Sequence, residues 1–269
     1  MLHVGRVRIA LITVLVVGVL CNRGMAQHYY ETSEPPTIVA DIMDNCYVVE
    51  GSRVSKLDST LLLKSRYSSS YGAIAQIDAS DPFKLLLFQK DFYRITFLDN
   101  ALALLGESLF LPDAGANSPL LACNMADGGY WVFDGIQTKL LFYRSGPNSS
   151  FSSNDLSVLL GDVMPSQLQS SNGLVFLGIP NKGIAVFDKF GGYKHLIAIP
   201  EASENFVAQF GKIYFSDGNK DVCSVNATGL GDKHIVLKKT FDYQRFAVGK
   251  KYLFFVNGNR VFTSPFLDD

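Results

Sequence analysis

Short apolar runs separated by polar turns recur along most of the chain. The most apolar run of each unit is three to five residues long: Cys46–Val49, Leu85–Phe88, Tyr130–Phe133, Leu174–Leu177, Ile213–Phe215 and Tyr252–Val256. Their centres are 39 to 46 residues apart, about 41 on average. Runs of this length between turn residues are typical of buried β-strands rather than helices.

Each of these central runs has companions that complete a repeating unit. Turns such as Asp217-Gly218-Asn219 and Asn257-Gly258-Asn259 follow them and supply residues suited to tight hairpins. A second apolar run comes next, and a preceding run is visible in most units. A trailing run is predicted in five units: Thr60–Lys64, Ala101–Leu105, Asp155–Leu160, Tyr193–Ile199 and His234–Lys238. The pattern therefore predicts four strands per unit.

A four-stranded unit that repeats every 40 to 50 residues is the period of a β-propeller. We therefore predict an all-β fold, a β-propeller of about six four-stranded blades, over residues 37–269. A sandwich has strands at similar spacing but no reason to repeat regularly, and a solenoid repeats faster. Five or seven blades remain alternatives, because residues 144–165 are loosely patterned.

The sixth unit shows only three strands, and a closed ring needs a fourth at that point. Either His28–Thr32 supplies the missing strand, or Thr37–Ile42 does and the first blade lacks its inner strand. The sequence alone leaves both possibilities open.

The N-terminal region has the pattern of a secretory signal. Arg6 and Arg8 are followed by the apolar run Ile9–Leu20 and by Gly24-Met25-Ala26. This order predicts a signal peptide over residues 1–26, cut after Ala26, and a polar leader over 27–36. A run of about 12 residues is short for a bilayer span. We therefore expect export to the periplasm or the extracellular space, and no membrane span in the mature chain.

A lipoprotein anchored through Cys21 is the less favoured alternative, because Leu20, which precedes it, is not a small residue. The mature chain keeps Cys46, Cys123 and Cys223, each within an apolar run. We interpret them as small buried hydrophobic residues, with one disulfide as an open alternative.

Composition narrows the possible partners. The chain is 48% hydrophobic and 12% aromatic, with a net charge of −1 and no run of Lys or Arg. A protein that binds a phosphate backbone needs a basic surface, so nucleic acid is not an expected partner.

Two units resemble known propeller repeats. Gly173-Leu-Val-Phe, followed by Gly183–Asp188 and Gly191-Gly-Tyr193, resembles an NHL-type blade. Gly211–Asp217, followed by Val222–Val225, is similar to YWTD-type and lactonase-like six-bladed propellers. The resemblance covers about two of the six units. It implies blade architecture, and these families include binding modules, lactonases and structural envelope proteins, so it does not choose a function.

Metal chemistry has two candidates. Asp217, Asn219 and Asp221 have the spacing of a calcium loop, but Val222 and Thr228 stand where an EF-hand needs Gly and an acid. A hairpin turn is the favoured interpretation, calcium is the alternative, and no other cofactor is predicted. The lactonase-like resemblance implies an axial metal held by acids and amides. Residues of those types near the inner strands are Asp78, Asn124, Glu204 and Asn205.

We predict a non-enzymatic module of the cell envelope that binds a protein or a small ligand. The candidate binding residues are polar residues of the inner strands and two aromatic residues in turns: Gln76, Asn124, Gln167, Gln209, Gln244, Phe83 and Phe92. The alternatives are a lactonase-like hydrolase with an axial metal site and a structural subunit of an envelope complex.

Overall fold

The computed structural model describes residues 28–125, 128–144 and 151–266. Within these residues the chain forms six antiparallel sheets of four strands each. The sheets follow one another around a central axis, so the fold is a six-bladed β-propeller, as the repeat predicts.

Twenty-four strands make up the blades, and in five blades they are consecutive in the chain. Blade 1 comprises β2 (Thr37–Ala40), β3 (Cys46–Glu50), β4 (Arg53–Leu57) and β5 (Leu63–Ser68). Blade 2 comprises β6 (Gln76–Asp78), β7 (Leu85–Gln89), β8 (Arg94–Leu98) and β9 (Leu109–Phe110). Blade 3 comprises β10 (Pro119–Asn124), β11 (Tyr130–Asp134), β12 (Lys139–Tyr143) and β13 (Phe151–Ser152).

The remaining three blades complete the ring. Blade 4 comprises β14 (Gln167–Ser171), β15 (Leu174–Ile179), β16 (Gly183–Asp188) and β17 (Tyr193–Ile197). Blade 5 comprises β18 (Phe206–Gln209), β19 (Lys212–Ser216), β20 (Val222–Asn226) and β21 (His234–Leu237). Blade 6 comprises β22 (Arg245–Val248), β23 (Tyr252–Asn257), β24 (Arg260–Pro265) and, from the other end of the chain, β1 (Tyr29–Glu31).

The strands of each blade are named A to D from the axis outwards, and this order defines two faces of the disc. Because neighbouring strands are antiparallel, the A–B and C–D connections lie at one end of a blade and the B–C and D–A connections at the other. We call these ends the lower face and the upper face, respectively.

The core consists of six apolar clusters, and each cluster fills the space between two adjacent blades. Phe133 and Phe187, for example, meet between blades 3 and 4, and Tyr47 and Leu98 meet between blades 1 and 2. The B strands therefore have neighbours on both faces, and β3, β7 and β11 are buried along their whole length. This double burial explains why the central runs read as continuous apolar stretches rather than as alternating patterns.

Ring closure uses the first of the two predicted possibilities. Strand β1 pairs with β24 as the outer strand of blade 6, with Tyr29 opposite Phe262 and Glu31 opposite Arg260. Thr37–Ala40 is the inner strand of blade 1. The ring therefore includes residues of the predicted polar leader 27–36, before the predicted domain boundary at residue 37.

Three predicted outer strands are wrong in position or type. Residues 155–160 contain a short helix, α1 (Ser157–Leu160), and the outer strand of blade 3 is Phe151–Ser152. In blades 1 and 2 the predicted outer strands include residues that belong to turns. Leu61 and Leu102 have positive φ angles and are buried. A turn leucine that fills a core cluster has the same sequence signature as a strand residue.

The three described cysteines are free and buried, in blades 1, 3 and 5. Their separation by intervening blades removes the disulfide alternative. Over the described residues, no helix has the length and apolarity needed to cross a bilayer.

Candidate binding surfaces

The inner-strand amides join neighbouring blades. The Gln169 side chain donates from Nε2 to the Phe206 carbonyl oxygen (2.9 Å) and accepts from the Ala208 N–H (2.8 Å). Gln167 forms a similar pair with the backbone of Phe206. An A strand has no strand partner on the axis side, so these amides satisfy backbone groups that would otherwise lack a protein partner.

Gln76 reaches further than the other amides. Its Oε1 accepts from the Ala122 N–H of blade 3 (3.2 Å), and its Nε2 donates to the Leu168 carbonyl of blade 4 (3.0 Å). One side chain from blade 2 thus contacts two further blades. The inner ring is narrow enough on this side to be bridged by a single glutamine.

Asp78 and Asn124 are buried beside that bridge. The Asp78 carboxylate accepts from the Asn124 N–H (3.0 Å) and the Ser80 N–H (2.7 Å). Burial raises the pKa of Asp78, and these hydrogen bonds oppose the rise only in part. The Asn124 side-chain amide donates to the Lys84 carbonyl, and the backbone carbonyl of Asn124 accepts from the Ser170 hydroxyl. The Asn124 Oδ1 is buried and has no hydrogen-bond partner among the described residues.

The other residues predicted for the channel are spread around the ring. Gln209 is half-buried at the end of β18 on the lower side, and Gln244 precedes β22 and accepts from the Gly258 N–H on the upper side. Glu204 is exposed in the loop before β18, next to the half-buried Asn205. The structure therefore brings Gln76, Asp78 and Asn124 together, and leaves Gln209, Gln244 and Glu204 apart from them.

The predicted calcium loop has the same backbone geometry as four other turns. In each, the Oδ1 of the leading aspartate accepts from the N–H groups two and four residues later: Asp41, Asp58, Asp99, Asp188 and Asp217. The other carboxylate oxygen of Asp217 contacts Lys233 Nζ at 3.1 Å. The described residues contain no group of three His, Cys, Asp or Glu side chains placed to hold a metal ion.

The two predicted aromatic anchors lie on opposite faces. Phe83 belongs to the A–B loop of blade 2, on the lower face, and is 62% exposed. Phe92 belongs to the B–C turn of the same blade, on the upper face, and is 50% exposed. One edge of the Phe92 ring packs where a Cβ of Gly72 would stand. Neither phenylalanine is part of the core, and a partner that binds one face cannot contact both of them.

A larger apolar group surrounds Phe83 on the lower face. Among the described residues, nine exposed large apolar side chains belong to A–B or C–D loops of blades 1, 2, 4 and 5: Ile42, Met43, Leu62, Phe83, Leu104, Leu105, Phe190, Phe210 and Leu230. We call this set the lower apolar ring. Sequence reasoning missed it, because single apolar residues in turns carry no periodic signal.

The upper face has a cleft of about 570 Å³ between blades 2, 3 and 4. Its walls come from the start of β10, the B–C turns of blades 2 and 3, and the connection into blade 4: Lys90, Ser118, Leu120, Leu121, Gly135, Ile136, Met164, Pro165 and Ser166. Ile136 and Met164 are 72% and 62% exposed. A Cβ on Gly135 would stand 2.6 Å from Leu120 Cδ1, so the glycine lets Leu120 lie close to the turn.

Known structures share the fold but little sequence. A streptogramin B lyase is 12% identical over 90% of this chain and 87% of its own, with a TM-score of 0.57. BBS1N, solved in complex with ARL6DN, is 16% identical over 87% of this chain and 78% of its own, with a TM-score of 0.53. The Pan2 WD40 domain of Neurospora crassa is 8% identical over 88% of this chain and 90% of its own, with a TM-score of 0.54.

No protein family and no curated protein matches the chain by sequence. The likeness to NHL-type and YWTD-type repeats therefore stays a resemblance. The neighbours include a lyase and a protein bound to a partner, so they share an architecture and not one function. What the comparisons establish is that this chain is a β-propeller.

Proposed function

We propose that the chain is an exported, non-enzymatic binding module of the cell envelope, and that the upper-face cleft receives an apolar side chain of a partner protein. The observation that carries this proposal is the cleft itself. It offers about 570 Å³ with Ile136 and Met164 exposed in its walls, and Lys90 is the one charged residue among the described residues that line it. Sites of this size and apolar character are the usual binding sites of rigid scaffolds.

The predicted anchor Phe92 supports the same face. It shares a 3-10 turn with Lys90, which lines the cleft. Exposed aromatic residues beside a concave site are frequent contributors to binding.

An axial hydrolase of the lactonase type has less support. The candidate ligand Asp78 already accepts from the N–H groups of Asn124 and Ser80, and the Asn124 side chain donates to the Lys84 carbonyl. Gln76 bridges three blades beside them. A catalytic site there would need these contacts to break. The third alternative, a structural subunit of an envelope complex, would use the same exposed surfaces.

The cleft can be tested by narrowing it. In Gly135→Ala the new Cβ pushes Leu120 towards the cleft, and we expect stability to change by about 1 kcal/mol or less because Leu120 is only half-buried. The matched control is Gly218→Ala, in the B–C turn of blade 5, where a Cβ meets nothing within 4 Å. Neither glycine has a positive φ angle.

The readout is binding of peptides selected from a random library against the immobilised chain. We expect Gly135→Ala and Ile136→Asp to weaken the selected peptides roughly tenfold or more, the equivalent of about 1.4 kcal/mol. Gly218→Ala should bind like the parent chain. Selected peptides that bind all variants equally would show that the cleft is not the binding site.

A further inference from the structure

The lower apolar ring is distributed over a face rather than gathered in a groove. Its nine residues come from seven loops in four of the six blades. A peptide or one helix of a partner would contact only a few of these loops at once. Apolar loop tips that are spread over one end of a disc can all contact a flat apolar surface at the same time.

The residue types of the ring also distinguish a lipid surface from a protein partner. The ring holds four Leu, three Phe, one Ile and one Met. Protein hot spots are enriched in Trp, Tyr and Arg and contain comparatively little Leu. The exposed large tyrosines Tyr29, Tyr93 and Tyr193 belong to strand D or to the upper face and not to this ring. Leu, Ile and Phe are the side chains most favourable in hydrocarbon.

The lower face carries both lysines and acids, and most of its aspartates are held within turns. Four of the five aspartate turns open on this face, and their carboxylates accept hydrogen bonds from their own turns: Asp41, Asp58, Asp99 and Asp188. Lys189, Lys250 and Lys251 are exposed, and Lys189 Nζ lies 5.1 Å from the Phe190 ring centroid. Glu107 and Asp232 are the exposed acids of these loops among the described residues. A lysine beside an inserted aromatic ring can reach back to a phosphate.

The chain enters the propeller from the same face. Strand β24 runs from the upper to the lower face, and β1 is antiparallel to it, so β1 is approached from below. The apolar run Ile9–Leu20 precedes Tyr29 by eight intervening residues. Eight residues reach at most about 30 Å. In the precursor, before the predicted cut after Ala26, a membrane that holds this run lies within reach of the lower face.

We propose that the lower apolar ring rests on a lipid bilayer and inserts its loop tips among the acyl chains. The upper-face cleft then points away from the membrane. The two surfaces have no residue in common, so this proposal and the proposed function can fail separately.

A tryptophan probe on each face of the full chain tests the proposal. The single native Trp131 is fully buried, so it gives a constant background. Phe83→Trp places a probe in the ring, and Ile136→Trp places a matched probe in an exposed turn of the opposite face. The vesicles consist of phosphatidylcholine and phosphatidylserine with brominated acyl chains.

We expect the added emission of Phe83→Trp to be quenched and shifted to shorter wavelength, while that of Ile136→Trp stays unchanged. If the N-terminal run alone held the chain on vesicles, both variants would bind and neither probe would be quenched, which would overturn the proposal. Absence of vesicle binding by both variants would overturn it as well, and would leave the ring as a protein-docking surface.

Flotation of the chain that starts at Gln27, which lacks the N-terminal apolar run, provides a second measurement with the same vesicles. The triple variant Leu62→Ser, Phe190→Ser, Leu230→Ser should lower the partition coefficient roughly tenfold or more, because three exposed apolar side chains are lost. The upper-face control Ile136→Ser, Val158→Ser, Met164→Ser removes three comparably exposed residues and should float like the parent chain. Equal flotation of both triple variants would contradict the proposal.

Discussion

At the scale of single residues, the inner-strand amides stabilise the ring more directly than they line a channel. Gln76 has both ends of its amide bonded to backbone groups of other blades. In the sequence it is one polar residue at the start of a three-residue strand, and its partners lie 46 and 92 residues away. Such a contact cannot be predicted without the closed ring, although the residue type and the strand position can.

Replacement of Gln76 by leucine should therefore destabilise the fold. In Gln76→Leu the Ala122 N–H and the Leu168 carbonyl lose their partners, and we expect a loss of about 1–3 kcal/mol in the free energy of unfolding, measured with urea. The matched control is Gln209→Leu, on the inner strand of blade 5, whose side chain has no hydrogen bond within the described residues. Equal losses for both variants would show that polarity, not bridging, stabilises the inner ring.

The aspartate turns show the opposite case, because they are local and could have been predicted from the sequence, yet the pattern that they share was not recognised. Asp58 and Asp99 precede leucines that the apolar pattern predicts as strand, yet each begins the same hydrogen-bonded turn. Local turn chemistry of this kind is a property of the sequence itself. Alignment of the five aspartate turns with one another would have assigned Leu61 and Leu102 to turns. The predicted outer strands of blades 1 and 2 would then begin later, closer to their observed positions.

At the scale of strands and blades, the A, B and C strands could be predicted, whereas among the D strands that follow their own blade in the chain only those of blades 4 and 5 could. Strands B and C are buried on both sides, so they read as apolar runs. Strands β9 and β13 have only two residues each. Both residues of β9 are exposed, and in β13 only Phe151 packs inwards while Ser152 is exposed. A short exposed strand carries little hydrophobic signal, and short edges of this kind also protect a propeller from edge-to-edge pairing.

Strand β1 is the exception, because its pairing closes the ring. Tyr30 lies opposite Val261 and packs against the apolar cluster between blades 6 and 1. A chain that starts at residue 33 loses this strand and exposes the edge of β24. We expect the free energy of unfolding of this shortened chain to be lower by about 2–4 kcal/mol, and we expect the chain to associate at high concentration.

The measurement is thermal melting combined with light scattering. The control chain starts at His28 and keeps the whole of β1. A shortened chain that stays monomeric, with the melting temperature of the control, would mean that the fourth strand of blade 6 does not contribute to closure.

At the scale of the whole molecule, closure makes the stability of one blade depend on all others. Each apolar cluster is shared by two blades, so no blade has a core of its own within the described part of the chain. The repeat in the sequence could show the units and their number. It could not show the two faces or their different surfaces, because these depend on which loops the closed ring brings together.

The three cysteines report on this coupling, since they lie in alternate blades. Cys46 packs between blades 6 and 1, Cys123 between blades 3 and 4, and Cys223 between blades 4 and 5. Burial, together with the nearby Asp41, raises the pKa of the Cys46 thiol, and burial raises the pKa of Cys223 to about 11. The thiolate is the reactive form, so an alkylating reagent needs the blade to open before it reacts.

In the closed ring we expect all three thiols to be alkylated at one common rate, that of global unfolding. In the chain that starts at residue 33, the interface between blades 6 and 1 loses the packing of Tyr30. Cys46 should then react first, and Cys123, on the far side of the ring, should react last. Mass spectrometry of alkylated peptides over time under native conditions measures the order. Equal rates for the three thiols in the shortened chain would show that the ring opens as one unit even without its seal, and that closure and blade stability are not coupled through this interface.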